Sequence, residues 1–204
     1  MAFEMALSLL DLEVRRAGTT VLAGVSLDLS PGDAVLVRGA NGSGKTSLLR
    51  AVAGFASFDG EIVFRRGVQV LDPGYIRSEE IHFINPEGGL NPRLTVEETA
   101  RFESGFLGGD YEEALLQVGL VPQAELKVGA LSTGQKRRLS LLRLLMTPRA
   151  LWLLDEPFSG LDDEGHEIVR TMIDAHRSRG GLVMLALHDA ETLQGAATLR
   201  VEAA

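Results

Sequence analysis

Eight consecutive residues, Gly39-Ala40-Asn41-Gly42-Ser43-Gly44-Lys45-Thr46, carry the strongest chemical signal in the chain. They fit G-x-x-x-x-G-K-[ST], in which glycines let the backbone fold into a concave nest of N–H donors aimed at phosphate oxygens. Lys45 supplies a positive charge that can bridge the β- and γ-phosphates, and the hydroxyl of Thr46 is placed to ligate Mg²⁺. Ser47 follows at what should be the first turn of a helix, where exposed N–H groups and the helix dipole favour anions. A glycine-rich turn with a solvated lysine is the bland reading of such a loop. Only three lysines occur in the chain, however, and one of them stands at this position.

A second constellation lies far downstream. Leu151-Trp152-Leu153-Leu154-Asp155-Glu156 reads as an apolar strand that delivers two carboxylates at its C-terminal end, where open parallel sheets bind ligands. Asp155 is suited to hold Mg²⁺, and Glu156 to orient and polarise a water that attacks a γ-phosphorus. By itself the pair would do no more than solvate a strand end. Coupled to the upstream loop it implies nucleotide hydrolysis.

These groups need rigid elements behind them. Ala34 to Val37 is an apolar run ending at Gly39, and Leu48, Leu49, Val52 and Ala53 recur at helical spacing after it, which predicts strand, loop and helix. Leu7 to Leu29 alternates around Gly18 as two antiparallel strands. Gly60 to Ile84 reads as short β-prone pieces broken by Gly67, Pro73 and Gly74, and Asn85-Pro86-Glu87-Gly88-Gly89 as a turn-rich connection. From Thr95 to Met146 the pattern is helical, with Thr95 as N-cap, Glu97 and Glu98 in the first turn, and Pro148 as the stop. Buried strands follow at Leu151–Leu154 and Leu182–Leu187, with a helix at 163–177 between them and a short helix after His188. The expected architecture is α/β: a P-loop NTPase core of mainly parallel sheet flanked by helices, an N-terminal antiparallel β subdomain and an inserted α-helical subdomain. One ATPase domain is expected over 1–204, with core about 1–84 and 149–204 and helical subdomain about 90–148.

Bulk properties set limits. A chain of 204 residues with 45% hydrophobic content buries an ordinary core. Its net charge of −8 repels polyanions, and Arg15-Arg16, Arg65-Arg66 and Lys136-Arg137-Arg138 read as short solvated faces, so no nucleic-acid partner is expected. The absence of cysteine excludes disulfides, thiolate metal sites and cysteine nucleophiles. The longest run free of charged residues is 11, Ala17 to Leu27, against about 20 needed to span a bilayer. With an N-terminus that reads as a strand and not a signal peptide, a cytoplasmic location is expected.

Further segments resemble the ABC ATPase family. Leu131-Ser132-Thr133-Gly134-Gln135 is similar to its signature, Ser159-Gly160-Leu161-Asp162 to its D-loop, and His188 to its switch histidine. Singly each has an ordinary explanation: Ser132 serves as a helix N-cap, and a histidine after a strand is often structural. In this order the resemblance covers nearly the whole chain. It implies that Gly39 to Ser47 bind ATP, that Ser132, Gly134 and Gln135 close over the ATP of a second copy, and that Glu156 and His188 catalyse hydrolysis, with Mg²⁺ held by Thr46 and Asp155. It further implies a head-to-tail dimer attached to membrane permease subunits on the inner face of the cell membrane. A soluble adaptor that moves nothing across a membrane, and a nucleotide-binding module without catalysis, are the competing readings. Two departures stand out. Leu12 to Thr20 contains no aromatic residue to stack on adenine, leaving Arg15 or Arg16 for that place, and Asn85-Pro86-Glu87 replaces the family's Q-loop glutamine. The segment Leu151 to Phe158 and the run Gln135-Lys136-Arg137-Arg138-Leu139 are most similar to the branch that serves haem export in cytochrome c maturation.

Overall fold

The computed structural model describes residues 2–85, 89–188 and 191–204, which form two compact units. The first comprises Met1–Phe83, Arg149–Glu156 and Asp174–Ala204; the second comprises Ile84–Pro148 and Pro157–Ile173.

In the first unit, β1 (Met5–Arg16) and β2 (Thr19–Leu29) pair antiparallel across Gly18, and β4 (Ser57–Arg66) joins the other edge of β1, followed by the short β5 (Gln69–Val70). Alternating residues of β1, among them Leu7, Leu9, Leu12 and Val14, are fully buried, as expected of a sheet with one face on a core. A second sheet has the order β6 (Ile81–Ile84), β7 (Leu151–Asp155), β8 (Leu182–Ala186), β3 (Ala34–Arg38), β9 (Ala197–Arg200). Here β7 pairs parallel with β8, and β3 parallel with both β8 and β9. Every residue of β3, β7 and β8 is buried, the mark of strands covered on both faces.

Helix α1 (Lys45–Val52) lies between the two sheets, touching β1, β2 and β4 on one side and β7 and β8 on the other. Its Leu48, Leu49 and Val52 are inaccessible to solvent, each contributing about 1.5–3 kcal/mol on removal from water. The phosphate loop is thereby anchored in the middle of the core. On β7, the Trp152 ring stacks on His176 of α7 (Asp163–Ser178), with centroids 3.9 Å apart and planes 6° from parallel. Burial pushes the His176 imidazole down to about 4, because removal from water penalises its cation by more than nearby backbone carbonyls restore.

The second unit holds α3 (Val96–Leu107), α4 (Tyr111–Gln117), α5 (Thr133–Leu141) and α6 (Arg143–Met146), with two short 3₁₀ turns. Thr95 caps α3 in a reciprocal box with Glu98, and Asp110 caps α4, so the orphan N–H groups of both helices are met locally.

Three local expectations are corrected. The Pro73-Gly74 break is the start of a helix, α2 (Pro73–Glu79), because Asp72 caps it and proline is well tolerated in a first turn. Arg137 and Arg138 are not a solvated face; both are buried, Arg137 donating to the Asn85 carbonyl and Arg138 to those of Val118 and Gly119. No helix occurs over 191–204; Ala197–Arg200 instead adds a strand to the β3 edge. Positions 189–190, where that helix was expected to begin, lie outside the described residues, as do positions 86–88 of the turn-rich connection and of the segment that replaces the Q-loop glutamine.

Candidate functional site

The chain leaves β3 at Arg38 and enters the phosphate loop. Gly39 admits no side chain: a Cβ there would sit 2.2 Å from the Val201 carbonyl and 2.4 Å from Ser43 Oγ. Gly44 caps α1 in the left-handed region (φ 96), with no side-chain hydrogen bond to the helix and no acidic residue in the first turn. The other long helices of known cap, α3 and α5, carry a side-chain box there. The first N–H groups of α1 are left for an external acceptor, and the dipole favours an anion. Lys45, although largely buried, donates from Nζ to the carbonyls of Gly39 (2.7 Å) and Ala40 (3.1 Å), so its charge is held across the mouth of the loop.

Thr46 and Asp155, 109 residues apart, meet at the base of this loop, where Thr46 Oγ1 donates to Asp155 Oδ2 at 2.8 Å. A hydroxyl and a carboxylate side by side are hard oxygen donors, the chemistry Mg²⁺ prefers. One residue further, Glu156 holds φ 50, a left-handed conformation that costs a non-glycine residue about 1–2 kcal/mol. Its N–H still bonds the Ala186 carbonyl at 2.9 Å, so the chain turns sharply as it leaves the last rung with β8. Glu156 Oε1 then lies 3.2 Å from Nε2 of His188, which leaves β8 beside it. Non-glycine strain of this kind concentrates where geometry serves chemistry.

A cavity of about 520 Å³ unites these groups. Asn41, Gly42, Gly44, Lys45, Thr46 and Ser47 line it, together with Glu156 and His188. Gly39, Ala40 and Ser43 of the same loop are not among the cavity's lining residues, and Asp155 reaches the site through Thr46. Two further lining residues are Arg16 and Val21. Arg15 is tied to Glu13 (3.0 Å) and Asp59 (2.9 Å). Arg16 has no such partner among the described residues and faces the cavity.

Residue Arg38 was not singled out by its sequence context. It is buried at the end of β3, and its guanidinium donates to the carbonyls of His188 and Glu191. The available signal was a lone charge closing an apolar strand immediately before the loop.

In the second unit, Ser132 and Gln135 form a reciprocal capping box: Ser132 Oγ accepts from the Gln135 N–H at 3.1 Å and Gln135 Oε1 from the Ser132 N–H at 2.9 Å. The structural role of Ser132 is therefore real. Gly134 sits against the backbone of the segment that follows the acidic pair, where a Cβ would come within 2.6 Å of the Gly160 carbonyl.

The sequence profile of the ABC transporter family matches residues 22–159. The cytochrome c biogenesis ATP-binding export protein CcmA of Rhodopseudomonas palustris (strain BisB18) is 42% identical over 176 residues, spanning 85% of this chain and 86% of that protein. Among solved structures, an ABC transporter ATP-binding protein from Pyrococcus furiosus superposes with a TM-score of 0.81 at 22% identity, covering 98% of this chain and 100% of that one. An ATP-binding cassette solved as a dimer in a post-hydrolysis state with ADP and phosphate gives 0.77 at 22% identity, covering 96% and 94%. The structures establish the fold, and the profile and the sequence relative establish the kinship. With its phosphate loop, acidic strand end and signature segment in family order, the chain belongs to the ABC transporter family, as an ATP-binding subunit that hydrolyses ATP.

Proposed function

We propose that this subunit hydrolyses ATP within a head-to-tail pair and thereby drives separate membrane subunits in haem export for cytochrome c biogenesis. The observation that carries the catalytic part is the convergence of Lys45, Thr46, Glu156 and His188 on one cavity, with Asp155 hydrogen-bonded to Thr46. In this reading the loop amides from Gly39 to Ser47 bind the phosphates and Lys45 neutralises the β- and γ-groups. Thr46 and Asp155 would hold Mg²⁺, which when bound would neutralise charge that develops on the phosphates. Glu156 accepts hydrogen bonding from the attacking water and draws its proton as the oxygen closes on the γ-phosphorus and the bond to the β–γ bridging oxygen breaks. His188, beside Glu156, donates to a γ-phosphate oxygen. Arg16 and Val21 seat the base, a guanidinium face replacing an aromatic ring.

The paired arrangement uses the N-terminus of α5. Ser132, Gly134 and Gln135 present a second anion-binding helix end, which serves the nucleotide held by another copy. The 42% identity to a protein named for cytochrome c biogenesis and export supports the transport assignment, along with a peripheral location on the cytoplasmic face. No helix among the described residues is long and apolar enough to cross a membrane, so membrane contact in this reading runs through partner subunits. The test is complementation. A strain lacking the gene should lose covalent haem staining of its c-type cytochromes, and the wild-type chain should restore it while Lys45→Ala does not. Normal staining in the deletion strain would refute the export assignment. Failure of the Glu156→Gln chain to form an ATP-dependent dimer by light scattering would refute the paired mechanism.

A further inference from the structure

The side chain of Arg38 is buried in a place where a charge is costly unless its donors are met. Two of them meet main-chain oxygens: Nη1 donates to the His188 carbonyl at 3.3 Å, and Nη2 to the Glu191 carbonyl. Its own carbonyl accepts from the Val201 N–H at 2.8 Å, on the β9 side. On the β8 side, the last backbone rung with β3 is Leu187 N–H to the Val37 carbonyl at 3.1 Å. Past that rung the chain leaves the sheet, and among the described residues the guanidinium ties it down at His188 and Glu191. Charge-assisted bonds of this kind are stronger and more directional than neutral ones.

What the tether holds is the backbone of His188. The imidazole is half exposed, and Glu156 is its one polar side-chain partner among the described residues. Packing does not aim this ring, so its direction depends on where its main chain is pinned. Arg38 does not line the nucleotide cavity and is occupied by the two carbonyls, which rules out direct phosphate binding as its task.

We infer that Arg38 is a positioning residue, holding the main chain at His188 so that its ring points at Glu156 and the γ-phosphate; the inference rests on the role of His188 proposed above. Because Arg38 immediately precedes Gly39, one residue sets both the start of the phosphate loop and the aim of the histidine. Displacement of a catalytic group by about 1 Å can cost on the order of 100-fold in rate. Arg38 acts at one remove, so a smaller loss is expected.

The experiment is a double-mutant cycle on the full-length chain, with phosphate release for kcat and KM and a fluorescent ATP analogue for binding. Arg38→Met should lower kcat by about 10-fold while leaving nucleotide affinity within about 2-fold. In a His188→Ala background the same substitution should change kcat by less than about 2-fold, since the group it aims is gone. Arg38→Lys, which keeps the charge and can reach one of the two carbonyls, should recover part of the rate, and it carries the cycle if the methionine variant does not fold. Equal losses in both backgrounds would overturn the inference in favour of a general stability role. An unchanged kcat in Arg38→Met, with His188→Ala impaired, would overturn it as well. Wild-type turnover in His188→Ala alone would overturn the histidine's role, and this inference with it.

Discussion

In the proposed mechanism Glu156 couples strain and catalysis at one residue, and the two can be separated by choice of substitution. Glu156→Gln keeps the length of the side chain and the backbone strain at φ 50 but removes the proton acceptor. A positioned general base contributes about 10²- to 10⁴-fold, equivalent to about 2.7–5.5 kcal/mol of barrier, so turnover should fall by that factor. Affinity for ATP should stay within about 2-fold, because Lys45 and the Thr46–Asp155 pair are untouched. The melting temperature should match that of the wild type. Glu156→Asn removes the base too, but asparagine tolerates the left-handed region. It should recover about 0.5–1 kcal/mol of the strain, and the lost contact with the half-exposed His188 offsets only a few tenths of that. For a chain of 204 residues this raises the melting temperature by about 1–3 °C. The assay is steady-state phosphate release beside differential scanning fluorimetry. Hydrolysis by Glu156→Gln at the wild-type rate would refute the base assignment, and a melting temperature for Glu156→Asn below that of Glu156→Gln would refute the strain argument.

Other perturbations probe the rest of the molecule. Arg16→Ala should weaken ATP binding about 2- to 5-fold, the equivalent of one exposed cation–π contact, and GTP binding by a similar factor, because a guanidinium face does not read base edges; Arg15→Ala, whose partners are Glu13 and Asp59, should bind as the wild type does in the same titration. Gly134→Ala forces a Cβ to within 2.6 Å of the Gly160 carbonyl and should lower stability by about 1–3 kcal/mol, read as a shifted urea midpoint. His176 titrates near 4 in the folded chain against 6.5 as its ordinary value. The unfolded chain therefore binds the extra proton first, and stability present above pH 6.5 is lost as pH falls toward 4, by roughly 3 kcal/mol in all. Melting curves between pH 7 and 4.5 should show the decline, and His176→Gln should flatten it.

What could be read from the sequence was whatever lies close together along the chain. The phosphate loop is contiguous, and its glycines and lysine announce their own geometry. The Thr95 box with Glu98 is likewise local. Errors arose where a local signal has two meanings. Pro73-Gly74 is a break in one context and a helix start in another, and Asp72 decides it by accepting the Tyr75 N–H at 2.7 Å. Ala197–Arg200 has little intrinsic strand preference; register with Val35 to Arg38 on β3 makes it a strand. Arg15 and Arg16 were indistinguishable until Asp59 of β4 was seen to claim the first. Arg38 was invisible for another reason: its bonds to His188 and Glu191 go to carbonyl oxygens, which every residue has and no side-chain pattern reveals.

The sheet order explains why distant segments converge without a dedicated scaffold. β7, β8 and β3 are neighbours and run parallel, so their C-terminal ends lie on one edge. From that edge β7 delivers Asp155 and Glu156, β8 delivers His188, and β3 delivers Arg38 and the phosphate loop. Each strand is buried along its full length, and buried parallel strands resist sliding because a shift of register would break the ladder and the packing together. The separation of the phosphate loop from the acidic pair and the histidine is thus set by strand spacing, and only the short exits from the sheet remain adjustable. Those exits are where the structure spends strain, at Glu156, and a buried charge, at Arg38. A rigid edge with pinned exits is what in-line attack on a phosphate requires, since the reaction depends on placement more than on covalent chemistry.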